Sequence, residues 1–389
     1  MIKTTFVQTN YHGWGCLSLL PEQVQKLNAK NVLIIGDPIL AKIGLIPKIE
    51  KSLSDLGINC IINTNVVAEP PLSIGEELVQ FSRQHAIDLV IGIGGGSALD
   101  LAKLVAALTP QAGKVEDYLN LTGMLKIVKP SLPKFMLPTT SGTGSEVTNI
   151  SVLSLENSKD VVVDDALLAD IVIVDPEITI SVPPRVTAAT GIDALTHAIE
   201  SYVSVLATPI SEPLSLQAIK LIGRSLLQAV NNGEDKQART DMSYGSYLAG
   251  LAFFNAGCAA VHALAYPLGG QFHIAHGESN AVLLPYVMGY IRHSCEQKLK
   301  DIYQALGYDA QNLTAEEASI KCIKVLQQLV ASVGIPNTLK EFNIPSSAIP
   351  ALTDAAFLQK RLLSRSPLAL QKADIERIYQ ASFNGEKFC

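Results

Sequence analysis

Cysteine is scarce and without pattern in this sequence. The six cysteines (16, 60, 258, 295, 322 and 389) include no C-x-x-C pair. In a long chain without a leader they read as reduced, buried thiols and not as a disulfide framework. Residues 1–6, Met-Ile-Lys-Thr-Thr-Phe, show no apolar core or cleavage site of a secretory signal. No stretch of about 18 apolar residues runs free of charge, so no transmembrane helix is expected. These absences together point to the cytoplasm. Charge is thin as well: 17% of residues carry one, the net is −6, and no Lys/Arg cluster stands out. Nucleic acid and anionic membranes are therefore excluded as main partners. No repeat or low-complexity segment is visible, and glycine and proline are dispersed as turn punctuation.

What the sequence does have is apolar content. Of 389 residues, 48% are hydrophobic, enough for ample core, and the length exceeds what one core comfortably supports. Two domains are expected. Short β-branched runs at Asn31–Ile35, Cys60–Ile62, Asp88–Ile93 and Lys134–Leu137 alternate with helical spacing at about 39–56 and 73–85. That alternation predicts a doubly wound, mainly parallel α/β sheet. Residues 1–30 begin extended, with a turn at Tyr11–Gly15 and a short helix from about Pro21. The segment from Val152 to Val174 is strand-rich. After Pro183-Pro184 the apolar spacing is helical nearly to the end, over Ala188–Tyr202, Pro213–Val230, Asp241–Phe254 and Ala315–Val333. The boundary is placed near 183, giving an α/β domain over 1–183 and an all-helical domain over 184–389.

Four of the seven histidines (197, 262, 273, 276) fall between positions 197 and 276. Asp193 and His197 stand four apart in a helical pattern, so both leave the same helix face one turn apart. With His262 and His276 they would offer one carboxylate and three imidazoles to a single divalent cation. Such a set suits Fe(II) or Zn(II) and leaves a position open for a substrate oxygen. Taken singly, each histidine also reads as an ordinary core or surface residue.

Gly94-Gly95-Gly96-Ser97 sits between a strand and a helix, where free N–H groups and close backbone approach suit a pyrophosphate. It is not a full G-x-G-x-x-G, and an ordinary Gly-rich turn is the plain alternative. Ser97-x-x-Asp100 has the form of a capping box. A second polar loop, Thr139 to Glu146, brings five hydroxyls and its own Thr143-x-x-Glu146 pattern. Two such loops on one parallel sheet suggest a dinucleotide across the strand ends. Asp37, just after the first of these strands, suits a ribose hydroxyl and repels a 2′-phosphate, favouring NAD(H) over NADP(H).

In this order and spacing, the G-G-G-S-x-x-D-x-A-K pattern (Gly94–Lys103), P-T-T-x-G-T-x-S-E (Pro138–Glu146), Asp175-Pro176, G-I-D-A-L-T-H (Gly191–His197) and the stretch His262–Gly277 resemble the iron-containing (group III) alcohol dehydrogenases, over about 30–385. The resemblance implies the dehydroquinate synthase-like architecture of that family, an α/β dinucleotide domain followed by an all-helical one. It puts the metal on Asp193, His197, His262 and His276, and the cofactor on Asp37, Gly95, Gly96, Ser97, Thr139, Thr140, Thr143 and Lys159. A homodimer or larger homo-oligomer is also implied by the family alone. Two departures stand out. Tyr266 occupies a position where many members carry histidine, four after the third ligand, and Glu69 replaces an asparagine near the adenosine.

The expected reaction is metal-assisted hydride transfer between NAD(H) and a small primary alcohol or aldehyde, the cation polarising the substrate oxygen. Tyr266 and His273 are the candidates for proton transfer. Imidazole titrates in the useful range, whereas phenol, with a reference pKa near 10, makes Tyr266 a pocket wall more readily than a base. Asn149, Phe253 and Phe254 are further candidates for shaping the pocket. Same-fold reductases and hydroxyacid–oxoacid transhydrogenases are the rival enzymes. A non-catalytic nucleotide-binding assembly protein is disfavoured by the intact ligand set.

Overall fold

Short apolar strands that each end in Gly, Pro or Asp build the first half of the chain. The computed structural model describes residues 3–155 and 159–388. Met1 and Ile2 of the N-terminal segment, residues 156–158 of the strand-rich stretch, and the Cys389 thiol lie outside the described residues. The chain separates into two compact units, Phe6–Ser181 and Val182–Cys389 together with Met1–Thr5.

In chain order the α/β unit contains β1 (Thr9–His12), α1 (Leu20–Lys26), β2 (Asn31–Gly36), α2 (Pro38–Lys42), α3 (Leu45–Ser54), β3 (Asn59–Asn63), α4 (Leu72–Arg83), β4 (Leu89–Gly94), α5 (Gly96–Leu108), β5 (Lys134–Pro138), β6 (Ile150–Ser154), β7 (Lys159–Val163) and β8 (Ile171–Val174). Six strands form one sheet in the order β1-β8-β5-β4-β2-β3, and every neighbouring pair is parallel. The chain runs outward from β2 to β3, returns to β4, and continues on the other side to β5. The order thus reverses between β2 and β4, where an open α/β sheet offers its ligand crevice. Gly36 stands opposite Ile93, so Asp37 and Gly94 leave the sheet side by side.

The central strands are buried on both faces, with Val32, Ile34, Val90 and Ile91 fully inaccessible. Each such side chain contributes roughly 1.5–3 kcal/mol on leaving water. Helix α5 is apolar almost all round because it too is enclosed, from Ala98 to Leu108. Two features depart from the sequence reading. Tyr11 and His12, expected in a turn, belong to β1, an edge strand held by β8. Also, β6 and β7 form a separate antiparallel hairpin, not part of the main sheet. The expectation of buried thiols fits Cys258, Cys295 and Cys322, but Cys16 and Cys60 are only partly covered.

The second unit is helical: α6 (Pro184–Val203), α7 (Ser211–Asn231), α8 (Lys236–Ala256), α9 (Ala260–Phe272), α10 (His276–Ile291), α11 (Glu296–Ala305), α12 (Ala315–Ser332), α13 (Ile349–Phe357), α14 (Lys360–Leu363) and α15 (Lys372–Asn384). Helix α6 begins at Pro184, whose missing N–H is harmless in a first turn. It is buried along nearly its whole length. Gly191 permits this: a Cβ there would stand 2.3 Å from Leu226 of α7 and 2.8 Å from Met242 of α8. The N-terminal segment joins this unit through Asn255, which accepts from the Thr5 N–H at 2.8 Å and donates to its carbonyl at 3.1 Å. No single helix among the described residues is long and apolar enough to cross a membrane.

Candidate metal and dinucleotide sites

Three helices of the second unit meet at one point. Asp193 and His197 project from α6, His262 from the first turn of α9, and His276 from the first residue of α10. Their four ligating atoms lie within 4.8 Å of one another. Asp193 Oδ1 is 3.7 Å from His262 Nε2 and 3.6 Å from His276 Nε2, and the Nε2 atoms of His197 and His262 are 3.0 Å apart. Bonds of the usual length to a tetrahedral ion set ligand separations of roughly 3.4 Å, so the spacing fits one cation. Asp193, His197 and His262 are buried, while His276 keeps 30% of its side chain exposed and marks the accessible side.

The electrostatics point the same way. Burial works to raise the Asp193 carboxyl, but His197, His276, His262 and the Asn280 amide together take it below the usual range. Burial works to lower His197 and His262, yet both are raised, His197 chiefly by Asp193 and His262 chiefly by Cys258 and Glu200. The cluster therefore favours positive charge at its centre, which a divalent ion would supply. Beside the imidazoles the Cys258 thiol, which burial would raise, is brought down to about 7 by His262 and His197.

The surroundings add residues that sequence reading did not single out. The Asn280 amide donates to Asp193 Oδ1 at 2.7 Å and lies 3.2 Å from Nε2 of both His262 and His276. Glu200 lies 2.6 Å from His262 Nδ1. Their only sequence signal is helical spacing: Asn280 follows His276 by four residues, and Glu200 follows His197 by three. Phe253 stacks on His197 with ring centroids 4.3 Å apart. Tyr266 lies 6.0 Å from the His276 ring, and burial pushes its phenol above the ordinary value. His273 closes α9 in a left-handed conformation, φ 55°, with its side chain exposed.

In the α/β unit, Asp37 accepts the Gly95 N–H at 3.1 Å. Gly94 has φ +150°, and a Cβ there would meet the Asp37 carboxylate at 2.3 Å, so only glycine fits. Gly95 is the N-cap of α5 and no side chain caps the helix; its first N–H groups remain for an anion. A Cβ on Gly95 would touch nothing closer than Thr140, at 3.5 Å, leaving room for a ligand's close approach. Thr143 packs on Gly96, and the Thr139 N–H bonds the Gly94 carbonyl at 2.9 Å, tying the two polar loops together. The residues present thus fit a pyrophosphate.

Several expectations need correction. Ser97 and Asp100 form no capping box: Ser97 Oγ accepts from the Glu69 N–H at 3.2 Å. Asp100 is buried, pairs with Lys103 at 2.9 Å, and accepts from Ser145 Oγ at 2.5 Å and the Val152 N–H at 2.9 Å. Its carboxylate braces the hydroxyl-rich loop against α5. Thr143 and Glu146 likewise make no box; the short turn there is capped by Gly144, without a side-chain bond. Lys103, fully buried, donates to the Ser145 and Ile150 carbonyls at 2.8 and 2.5 Å and so anchors the hydroxyl-rich loop on α5. Lys159 pairs with Glu69 at 2.9 Å, and Asn149 donates to Asp165 at 2.9 Å.

Both halves of the chain match models of known families. Residues 8–176 match the family model for iron-containing alcohol dehydrogenase, and residues 187–383 that for the C-terminal part of the Fe-containing alcohol dehydrogenase family. A long-chain-alcohol dehydrogenase 1 of Geobacillus thermodenitrificans is 61% identical, over 98% of this chain and 97% of its own. An NAD-dependent methanol dehydrogenase of Bacillus methanolicus is 33% identical, over 89% and 90%. Among solved structures, a 1,3-propanediol oxidoreductase superposes with a TM-score of 0.94 at 34% identity, covering 98% of this chain and 100% of its own.

Proposed function

The chain belongs to the iron-containing alcohol dehydrogenase family, oxidoreductases of alcohols and aldehydes, and we propose that it moves hydride between NAD(H) and aliphatic primary alcohols or their aldehydes. The observation that carries the reading is the convergence of Asp193, His197, His262 and His276. A divalent ion held there, Fe(II) or Zn(II), would supply Lewis acidity toward the substrate oxygen.

The residues themselves do the rest. Asp193 and the three histidines would hold such a cation with one negative charge, leaving a net +1 that suits an oxyanion. Phe253 and Tyr266 give the pocket apolar walls next to His197 and His276. With its phenol raised further by burial, Tyr266 stays protonated and shapes the site instead of taking a proton. His273 is the exposed acceptor through which the alcohol's proton reaches water. In the α/β unit the N-terminus of α5 would receive the pyrophosphate, with the threonines at 139, 140 and 143 beside it and Asp37 placed to accept from the adenosine ribose hydroxyls. The Asp37 charge opposes a 2′-phosphate, hence NAD(H).

The 61% identity to a long-chain-alcohol dehydrogenase supports substrates of extended chain. The test is a steady-state panel of straight-chain primary alcohols with either nicotinamide. Higher kcat/KM with NAD than with NADP, rising with chain length, is expected. A preference for 2-hydroxy acids, or turnover without any free nicotinamide, would refute the assignment in favour of a transhydrogenase.

A further inference from the structure

Resting on the reading of Asp193, His197, His262 and His276 as metal ligands, we propose that Glu200 is a positioning residue of the metal centre, fixing which nitrogen of His262 faces the cation. Glu200 sits on α6 and is completely buried. A carboxylate taken out of water costs several kcal/mol unless it is paired and hydrogen-bonded. Neither Lys nor Arg pairs with it among the described residues; the side chain that meets its carboxylate is the His262 imidazole.

Its bonds are directed at one target. Oε2 accepts the Ala259 N–H at 3.0 Å, and Oε1 the Val261 N–H at 2.6 Å. Both donors belong to the start of α9, where the positive end of a 13-residue helix favours an anion. Oε2 also receives the His262 ring at 2.6 Å through Nδ1. With Nδ1 carrying the proton, the lone pair of that imidazole is on Nε2, the atom that faces His197 and Asp193. One carboxylate therefore sets the helix start, the ring orientation and the tautomer, and strengthens the ring as a donor.

Glu200, Cys258 and His262 also lie close enough to suggest a second cation site. The bonding decides against it. Both Glu200 oxygens are committed to N–H donors, and Nδ1 of His262 is turned to Glu200. A second ion would have to displace those bonds.

The test is Zn(II) affinity, measured on the full-length protein by competition with a chromophoric chelator. Wild type, Glu200→Gln, His262→Ala and the double variant are compared. Glu200→Gln is expected to weaken binding about 10- to 100-fold and to add nothing to the loss caused by His262→Ala. One zinc per chain is expected in the wild type. An unchanged affinity in Glu200→Gln, an equal loss in both backgrounds, or two zinc ions per chain would overturn the proposal. Wild type that binds no zinc would instead refute the metal site as a whole. If Glu200→Gln does not fold, nitrogen-15 spectra of histidine-labelled, zinc-loaded wild type decide. A His262 protonated on Nδ1 and liganded through Nε2 supports the role of Glu200, and the reverse contradicts it.

Discussion

Asp37 shows what one side chain can cost and return. Burial raises its carboxyl above the usual range, and the Gly95 N–H only partly reverses this. A carboxyl raised on folding binds its proton more tightly in the native state, so stability falls as pH climbs from the unfolded value through the folded one. Asp37→Asn keeps an acceptor for Gly95 and removes the charge. It is expected to raise the melting temperature at pH 7, with the gain vanishing as the pH falls below 3.8, the ordinary value. The same variant is expected to raise kcat/KM for NADP relative to NAD at least about tenfold, a shift of roughly 1.4 kcal/mol. An unaltered ratio would separate Asp37 from cofactor choice. His273 offers a second test at this scale. Because its φ of 55° is left-handed, asparagine is the substitution its backbone tolerates. His273→Asn is expected to lower kcat about 100-fold while metal content stays the same; full activity would remove His273 from the proton route.

At the scale of elements, the site depends on how closely α6 and α10 approach. A Cβ on Gly277 would stand 2.2 Å from the Ala189 carbonyl oxygen, and backbone cannot swing aside. Gly277→Ala is therefore expected to push the start of α10, and His276 with it, away from Asp193. Zinc content after dialysis should fall severalfold while the nucleotide affinity of the α/β unit holds; normal zinc retention would show that the contact is not limiting. The strands β2, β4 and β5 were legible because each is a short apolar run ended by a turn residue. Helical spacing put Asp193 and His197 on one face of a helix, and both lie on α6 with side chains that meet. β1 was not legible: three of its residues are half-buried and His12 is exposed, and its partner β8 lies far along the chain, beyond any local pattern. Helices α9 and α10 carry Pro267 and Pro285 in their interiors, which blurs their periodicity. Ser97-x-x-Asp100 misled for a related reason. The capping pattern is local, whereas the carboxylate is claimed by Ser145 and Val152. Glu200 and Asn280 look like ordinary polar positions until the fold brings α6, α9 and α10 together.

For the whole molecule, the division of labour is that of two units with separate cores. One carries the N-terminus of α5, the other the convergence of Asp193, His197, His262 and His276 from α6, α9 and α10. A cation bound by the native state alone adds about 2.7 kcal/mol at a hundred times its dissociation constant, so loading also reports on the integrity of the helical unit. The measurement that bears most directly on the account is NADH formation from a long-chain primary alcohol by anaerobically purified protein. It is followed first as isolated, then after chelation, and then after refilling with Fe(II) or Zn(II). The account predicts that chelation abolishes the absorbance change, that refilling restores it, and that the same refilling does not revive His262→Ala. Undiminished turnover by the fully stripped protein would contradict it.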